Sequence, residues 1–253
     1  MLESYIRAKM KDKGILLMTH LVLGYPSFED SFKMIEAMVE AGVDLMELQI
    51  PFSEPIADGP VILRANQKAL EDGATVKASL DLAKKVVETF DIPFLIMTYY
   101  NILFKYGTDL FIDEMATRQL KGAIIPDLPP EEGENYLKEM EKYHLAPILI
   151  FSPTTSFARM KYLSTFARGF IYCVARKGVT GQNTKFTDEL GAYLSRCREA
   201  TELPLALGFG VKEKQDIDFL KGKADIAVVG TQTIRVMDEK GIDSVGHFIR
   251  SLQ

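Results

Sequence analysis

The stretch MELQIPFSEPIADGP, residues Met46–Pro60, joins a predicted buried strand to a polar loop that carries acidic residues. The strand is predicted over the apolar run Val43–Gln49. Glu47 lies inside this run, where an ionised carboxylate is costly unless it is paired or lies at the mouth of a cavity. Side chains alternate along a strand, so Glu47 and Gln49 share one face. We therefore interpret Glu47 as a functional residue.

The loop after this strand carries two further carboxylates, Glu54 and Asp58. It begins at Pro51, where a parallel strand ends, and this is the end at which α/β folds place their chemistry. A solvated surface loop is the simpler interpretation, and we prefer it for Glu54. The loop by itself leaves the role of Asp58 open.

Composition limits the class of protein. The chain has 253 residues, 47% of them hydrophobic, and this length suits one (β/α)8 barrel of about 250 residues. The net charge of −5, with no concentrated basic run, argues against a nucleic-acid partner. No apolar run approaches the roughly 20 residues of a membrane helix, and no signal peptide is evident, so we expect no membrane partner.

The two cysteines, Cys173 and Cys197, have no metal spacing and indicate a reduced, cytoplasmic setting. The histidines, His20, His144 and His247, are scattered, which argues against a histidine metal site.

Short apolar runs alternate with amphipathic helical patterns along the whole chain. Eight strands are predicted, over Ile15–Leu23, Val43–Gln49, Pro93–Tyr99, Gly122–Pro126, Ala146–Phe151, Gly169–Ala175, Leu203–Leu207 and Ala224–Val229. The helices after the third, fourth and eighth strands are predicted over Leu110–Gln119, Glu131–Tyr143 and Val245–Leu252. Such alternation predicts an α/β fold with a parallel sheet and crossover helices. Eight units without a composition break predict a closed TIM barrel in a single domain, residues 1–253, with an extra N-terminal helix within Met1–Lys13. An open doubly wound sheet is the alternative.

In a barrel, the loops after the strands line one rim, and glycines follow the last two predicted strands. They occur in Gly208-Phe209-Gly210 and Gly230-Thr231. Glycine lets a ligand approach the backbone, and the helices behind it point N–H groups at a phosphate. Tight turns are the simpler explanation of either glycine group alone, but the two together favour a phosphate site.

Two other rim segments are candidates for substrate contact. The segment Arg176–Thr187 contains two glycines and little apolar content, and we interpret it as a lid rather than a surface excursion. Of the two tyrosines at the end of the third strand, Tyr99 is expected to face the pocket and Tyr100 to point away, because side chains alternate.

At these residues the sequence resembles the alpha subunit family of tryptophan synthase. Met46–Pro60 is similar to that family's signature E-L-G-[IV]-P-F-S-D-P-x-A-D-G-P. Similar blocks follow in order over nearly the whole chain, at Met97–Asn101, Pro126–Glu132, Gly169–Gly181, Leu203–Val211 and Ala227–Ile234. The resemblance implies a TIM barrel that cleaves indole-3-glycerol phosphate into indole and glyceraldehyde 3-phosphate.

The resemblance also implies roles for individual residues. Glu47 corresponds to the general acid–base, Asp58 to the carboxylate that holds the indole nitrogen, and Thr180 to a lid residue that closes toward Asp58. With Tyr99 added from its place at a strand end, the predicted substrate-binding residues are Tyr99, Tyr172, Thr180, Gly181, Phe209, Gly210, Gly230 and Thr231. The family needs no cofactor or metal in its alpha subunit. It works as an αββα heterotetramer that passes indole to a β subunit carrying pyridoxal phosphate.

The chemistry agrees with these roles. Retro-aldol cleavage needs protonation of the ring carbon that bears the glycerol chain, and Asp58 would stabilise the resulting positive charge. Glu47 would donate and then accept a proton if its apolar setting raises its pKa toward neutral. Gln49 stands where the family has glycine, on the side of Glu47, and could shift that pKa, crowd the indole or alter the reaction.

Two alternatives to the lyase are considered. One is a weakly active or inactive alpha-type subunit that mainly binds and activates a β subunit, which the Gln49 exchange would fit. The other is a different phosphate-binding barrel enzyme, an isomerase or synthase of the same pathway. The pairing of Glu47 with Asp58, and the lack of a lysine at a strand end, argue against the synthase.

Overall fold

The computed structural model describes residues 1–175, 188–208 and 210–253. In these ranges, eight parallel strands form a closed barrel in chain order. The strands are β1 (Leu16–Val22), β2 (Leu45–Gln49), β3 (Phe94–Met97), β4 (Gly122–Ile124), β5 (Ala146–Phe151), β6 (Ile171–Val174), β7 (Leu205–Gly208) and β8 (Ile226–Val229). The predicted TIM barrel is confirmed, and the open sheet is excluded because β8 pairs with β1.

Helices surround the barrel. Those in the described residues are α1 (Leu2–Lys9), α2 (Phe28–Glu40), α3 (Pro60–Glu71), α4 (Val76–Thr89), α5 (Tyr100–Tyr106), α6 (Thr108–Thr117), α7 (Glu134–Lys142), α8 (Phe157–Phe166), α9 (Asp188–Ala200), α10 (Lys214–Leu220), α11 (Thr231–Lys240) and α12 (Asp243–Ser251). Side-chain caps begin some of them. Ser27 accepts a hydrogen bond from the backbone N–H of Asp30 at the start of α2, and Thr75 does the same for Ala78 at the start of α4.

Three helix predictions were wrong. Helix α5 begins directly after Tyr99, in a segment predicted to be loop, and its first N–H, of Tyr100, donates to Asp127 Oδ1 at 2.9 Å. Helix α11 begins directly after Gly230 and was not predicted. Helix α7 begins at Glu134 rather than Glu131, because backbone turns from Pro129 and Pro130 occupy the preceding residues.

Alternate strand residues face the barrel axis and form an inner core, separate from the larger core between strands and helices. At the end where the strands begin, this inner core is apolar, with Leu16, Leu45 and Phe170 fully buried. Helix α1, the predicted N-terminal helix, closes that end by adding Leu2 and Ile6 to the same cluster. The barrel interior is therefore a packed core at one end.

The other end of the interior carries polar side chains as well as apolar ones. In β1, His20 follows Leu16 and Met18 on the inward face, and it is paired in register with Glu47 of β2. Gln49 takes the next inward position of β2 and is fully buried. The end of the barrel where the strands finish therefore carries the chemistry-bearing side chains.

Candidate active site

A cavity opens at this end of the barrel, with a volume of about 890 Å³ when its open mouth is counted. Its size is that of a small-molecule pocket. The wall includes acids from β2 and its loop, apolar strand residues and the segments after β7 and β8. Glu47, Asp58, Tyr172, Gly210, Gly230 and Thr231, all predicted site residues, line it.

Glu47 is a buried acid on the floor of the cavity. Its Oε1 accepts a hydrogen bond from the hydroxyl of Tyr172 at 3.4 Å, and its Oε2 has no hydrogen-bond partner among the described residues. Burial, and next the negative charge of Asp58, raises the pKa of Glu47 to about 8, while the Tyr172 hydrogen bond acts the other way. The carboxyl is therefore protonated at neutral pH and can donate a proton.

Asp58 lies on the loop after β2, and its carboxylate is held by hydrogen bonds. Gln49 Nε2 donates to Asp58 Oδ2 at 2.6 Å. Burial raises the pKa of Asp58 to about 6, and hydrogen bonds from Gln49 and Tyr99 oppose that rise. Asp58 is therefore ionised at neutral pH, so the cavity holds one protonated and one ionised carboxyl.

The two predicted tyrosines lie in different places. Tyr172 lines the cavity, and its ring lies over Gly208, where an added Cβ would stand 2.3 Å from Tyr172 Cε1. Gly208 therefore makes room for a side chain of the protein, not for a ligand as the glycine argument assumed. Tyr99 is not part of the cavity wall that the described residues form. It lies behind the Asp58 loop. Its ring is stacked on that of Phe52, with the ring centroids 5.2 Å apart, and its hydroxyl accepts a hydrogen bond from the N–H of Ala57 at 3.1 Å.

The start of helix α11 forms an anion-binding corner of the cavity. Gly230 precedes the helix and Thr231 is its first residue, and both line the cavity at the helix N-terminus, where the first N–H groups have no intrahelical acceptor. Lys212 and Arg235, which sequence reasoning missed, line the same cavity and add positive charge. This geometry suits a phosphate group.

Some predicted residues cannot be placed. Thr180, Gly181 and the rest of the Arg176–Thr187 segment, and Phe209, lie outside the described residues. Within the described part of the chain, no group of three or more His, Cys, Asp or Glu side chains could hold a metal ion. In the same residues, no helix combines the length and apolar character needed to cross a membrane.

Comparison with known proteins agrees with the site. The family model described as tryptophan synthase alpha chain matches residues 6–249. The chain belongs to the tryptophan synthase alpha chain family. It is accordingly a lyase of tryptophan biosynthesis that cleaves indole-3-glycerol phosphate. The tryptophan synthase alpha chain of Desulforapulum autotrophicum is 64% identical over 252 residues, covering 100% of both chains. That of Syntrophotalea carbinolica is 61% identical over 253 residues, again covering 100% of both.

Solved structures of the family have the same fold. A chain of Mycobacterium tuberculosis tryptophan synthase superposes with a TM-score of 0.93 at 27% identity, covering 99% of this chain and 96% of that one. Tryptophan synthase subunit alpha from Legionella pneumophila superposes with a TM-score of 0.90 at 29% identity and the same coverage.

In this alpha chain, Gln49 is not one of the described residues that line the cavity. Its amide instead joins two cavity residues, with its Oε1 2.7 Å from His20 Nε2 and its Nε2 2.6 Å from Asp58 Oδ2. Sequence reasoning had set His20 aside because the histidines are scattered. Its inward position in β1, at the level of Glu47, is the signal that would have found it.

Proposed function

We propose that cleavage of indole-3-glycerol phosphate by this chain uses Glu47 as general acid–base and Asp58 as the carboxylate that stabilises positive charge on the indole ring. One observation supports this most: a carboxyl that is protonated at neutral pH and one that is ionised share a single cavity. Burial raises the pKa of Glu47 to about 8 and that of Asp58 to about 6. Retro-aldol cleavage needs one group that transfers a proton and another that keeps its negative charge.

The substrate binds along the cavity in this proposal. Its indole ring lies among apolar wall residues that include Met97, Ile124 and Ile150. Its phosphate lies at the start of α11, against the N–H groups near Gly230 and Thr231. The glycerol chain then spans the distance between the ring and the phosphate.

The reaction begins when Glu47 gives its proton to the ring carbon that bears the glycerol chain. The ring becomes a cationic indolenine, and Asp58 stabilises the charge near its nitrogen. The Glu47 carboxylate then takes the proton of the hydroxyl on the adjacent carbon. The O–H electrons form the carbonyl bond, and the electrons of the breaking carbon–carbon bond return to the ring. Indole and glyceraldehyde 3-phosphate leave, and Glu47 is protonated again.

The remaining residues have supporting roles in the proposal. Tyr172 orients Glu47 through its hydroxyl, and Tyr99 supports the Asp58 loop from behind. Gly210, Gly230 and Thr231 hold the phosphate. Thr180, Gly181 and Phe209 are assigned to the lid and pocket by family resemblance alone.

We also propose that the chain works in the cytoplasm in an αββα heterotetramer, with pyridoxal phosphate in the β subunit and no cofactor or metal of its own. Two exposed apolar side chains support a partner surface near the cavity mouth. Ile56 is 71% and Phe104 69% exposed. They belong to the segments after β2 and β3, which the hydrogen bond from Ala57 to Tyr99 joins. Large exposed apolar side chains grouped on one face are typical of protein interfaces.

The decisive assay measures indole release from indole-3-glycerol phosphate by the isolated chain and then with a β subunit added. We expect release in both cases and faster release with the partner. Glu54→Gln is a matched control for the isolated chain, because Glu54 is exposed on the same loop as Asp58 and should leave the rate without the β subunit unchanged. No release in either case, together with stable partner binding, would instead favour the subunit that only binds and activates its β partner.

A further inference from the structure

A buried chain of hydrogen bonds runs behind the cavity from Asp58 to His20. Gln49 Nε2 donates to Asp58 Oδ2 at 2.6 Å, and Gln49 Oε1 lies 2.7 Å from His20 Nε2. Gln49 is fully buried and His20 is 4% exposed. Neither side chain has a step in the proposed mechanism, although His20 lines the cavity.

Two independent contacts fix the orientation of the Gln49 amide. An ionised carboxylate only accepts hydrogen bonds, so the NH₂ group of Gln49 must face Asp58. Asn66 gives the same orientation. Its own amide is fixed, because its Nδ2 donates to the carbonyl of Ile62 and its Oδ1 accepts from the N–H of Phe52, both at 2.9 Å. Asn66 Oδ1 lies 3.4 Å from Gln49 Nε2, again an acceptor facing the NH₂ group. The carbonyl oxygen of Gln49 therefore faces His20.

The amide orientation decides the tautomer of His20. Since Gln49 Oε1 can only accept, His20 Nε2 must carry the hydrogen. Burial lowers the pKa of His20 to about 4, so the ring is neutral and Nδ1 carries a lone pair. Nδ1 is buried and has no hydrogen-bond partner within residues 1–175, 188–208 and 210–253. A buried acceptor without a donor is rare in native proteins and needs an explanation.

The position of His20 in the site indicates which kind of hydrogen-bond donor suits its Nδ1. His20 is joined to Asp58 through Gln49, and its ring packs against Gly230, where an added Cβ would lie 3.4 Å from Nδ1. It therefore stands between the proposed ring-nitrogen and phosphate positions. The substrate carries two hydroxyl-bearing carbons between its ring and its phosphate. A hydroxyl can donate to Nδ1, whereas a phosphate dianion can only accept.

We propose that His20 is a specificity-determining residue whose Nδ1 accepts a hydrogen bond from a hydroxyl of the substrate's glycerol chain, with Gln49 setting the tautomer that makes this possible. The inference rests on the proposed placement of substrate between Asp58 and the start of α11. A site built to bond a hydroxyl rejects an analogue that lacks it, because the buried acceptor is then left without a donor. His20 thus selects for the hydroxylated chain.

The first test is a binding comparison in the Glu47→Gln background, where turnover does not interfere. The probes are indole-3-glycerol phosphate and an indole joined to phosphate by a three-carbon chain without hydroxyls. We expect His20→Phe to weaken binding of the hydroxylated ligand about tenfold, the size of one neutral hydrogen bond, and to leave the other ligand unchanged or tighter. Equal losses for both ligands, or no loss for either, would overturn the proposal.

The second test needs no substitution at His20. The protein carries ¹⁵N-labelled histidine, and the exposed His144 and His247 serve as internal references. In ligand-free wild-type protein we expect His20 to show a protonated Nε2 and an unprotonated Nδ1, and in the Glu47→Gln protein, which does not consume the substrate, we expect its Nδ1 resonance to shift with the hydroxylated ligand only. An Nδ1–H tautomer, or equal shifts with both ligands, would reject the role of His20.

These readouts are separate from the proposed chemistry. If indole release fails but the ligand preference holds, the mechanism is wrong and the His20 assignment stands. If release depends on Glu47 but the two ligands respond alike to His20→Phe, the mechanism stands and the His20 assignment is wrong.

Discussion

Asp44 directly precedes β2 and Glu47 is the middle residue of that strand; the two are equally buried, at 4% exposed each, yet their surroundings differ. Asp44 accepts from Lys13 at 2.6 Å and from the N–H of Leu17 at 2.9 Å, so both of its oxygens are engaged. Glu47 has one long hydrogen bond from Tyr172, and no Lys or Arg of the described residues pairs with it. Equal burial thus gives a structural acid just before β2 and, in the proposed mechanism, a reactive acid in its middle, because the partners differ.

The largest effect should come from removing the proton carried by Glu47. We expect Glu47→Gln to lower kcat by about 10²–10⁴-fold, the usual loss when a general acid–base is removed. Substrate should still bind, because the amide keeps the shape of the carboxyl. Steady-state indole release and ligand titration measure the two parts. Near-normal turnover would remove the distinction between Asp44 and Glu47.

A smaller loss of kcat is expected when the negative charge of Asp58, near Glu47, is removed. Asp58→Asn keeps the shape of the side chain but removes the carboxylate that stabilises the ring, and should lower kcat by about 10²–10³-fold. It also removes a charge that raises the pKa of Glu47, so the remaining activity should be lost at a lower pH than in wild type. A pH profile identical to that of the wild type would contradict this electrostatic coupling.

The pH dependence of the wild type follows from both acids. In the proposed mechanism turnover needs Glu47 protonated and Asp58 ionised, so kcat/KM, which reports the free enzyme, should be highest between their pKa values of about 6 and about 8. Above pH 8 Glu47 loses its proton, and below pH 6 Asp58 gains one, so the rate should fall about tenfold per further pH unit on each side. The measurement is kcat/KM, from rates at substrate concentrations well below KM, in constant-ionic-strength buffers. A flat profile over this range would show that neither acid limits turnover.

The smallest effects on kcat are expected for substitutions at the structural acid, Asp44, and at its partner Lys13. Asp44→Ala leaves the buried N–H of Leu17 without its acceptor and should lower the free energy of unfolding by about 1–3 kcal/mol, with kcat unchanged. Lys13→Met removes the half-exposed cation from the buried Asp44 carboxylate and should also lower the free energy of unfolding by about 1–3 kcal/mol. Urea denaturation gives both values. A fall in kcat for Asp44→Ala without a loss of stability would mean that Asp44 also serves catalysis.

The strands and the inward position of Glu47 could be predicted because they depend on local pattern, whereas Asp58 was assigned by family resemblance. Each apolar run is short and bounded by turn residues, and the alternation around Glu47 places it on the inward face. The eight strands differ from their predicted bounds by a few residues at most. The assignment of the whole chain to a single domain stays a prediction.

What the sequence did not reveal depends on contacts between distant residues. The first N–H of α5 is capped by Asp127, 27 residues away, so the segment itself carries no start signal. The importance of His20 depends on its register with Glu47 and on Gln49, 29 residues later. Gly208 was read as space for a ligand because nothing local indicates that the ring of Tyr172 fills it.

Helix α1 closes the end of the barrel opposite the cavity, with Leu2 packed against Gly169 and Met1 91% exposed beside it. A linker attached at Met1 would leave the molecule on the face remote from the substrate opening. Enzyme tethered to a sensor surface or bead through that residue would therefore present its mouth to solution, provided that Leu2 keeps its place in the helix.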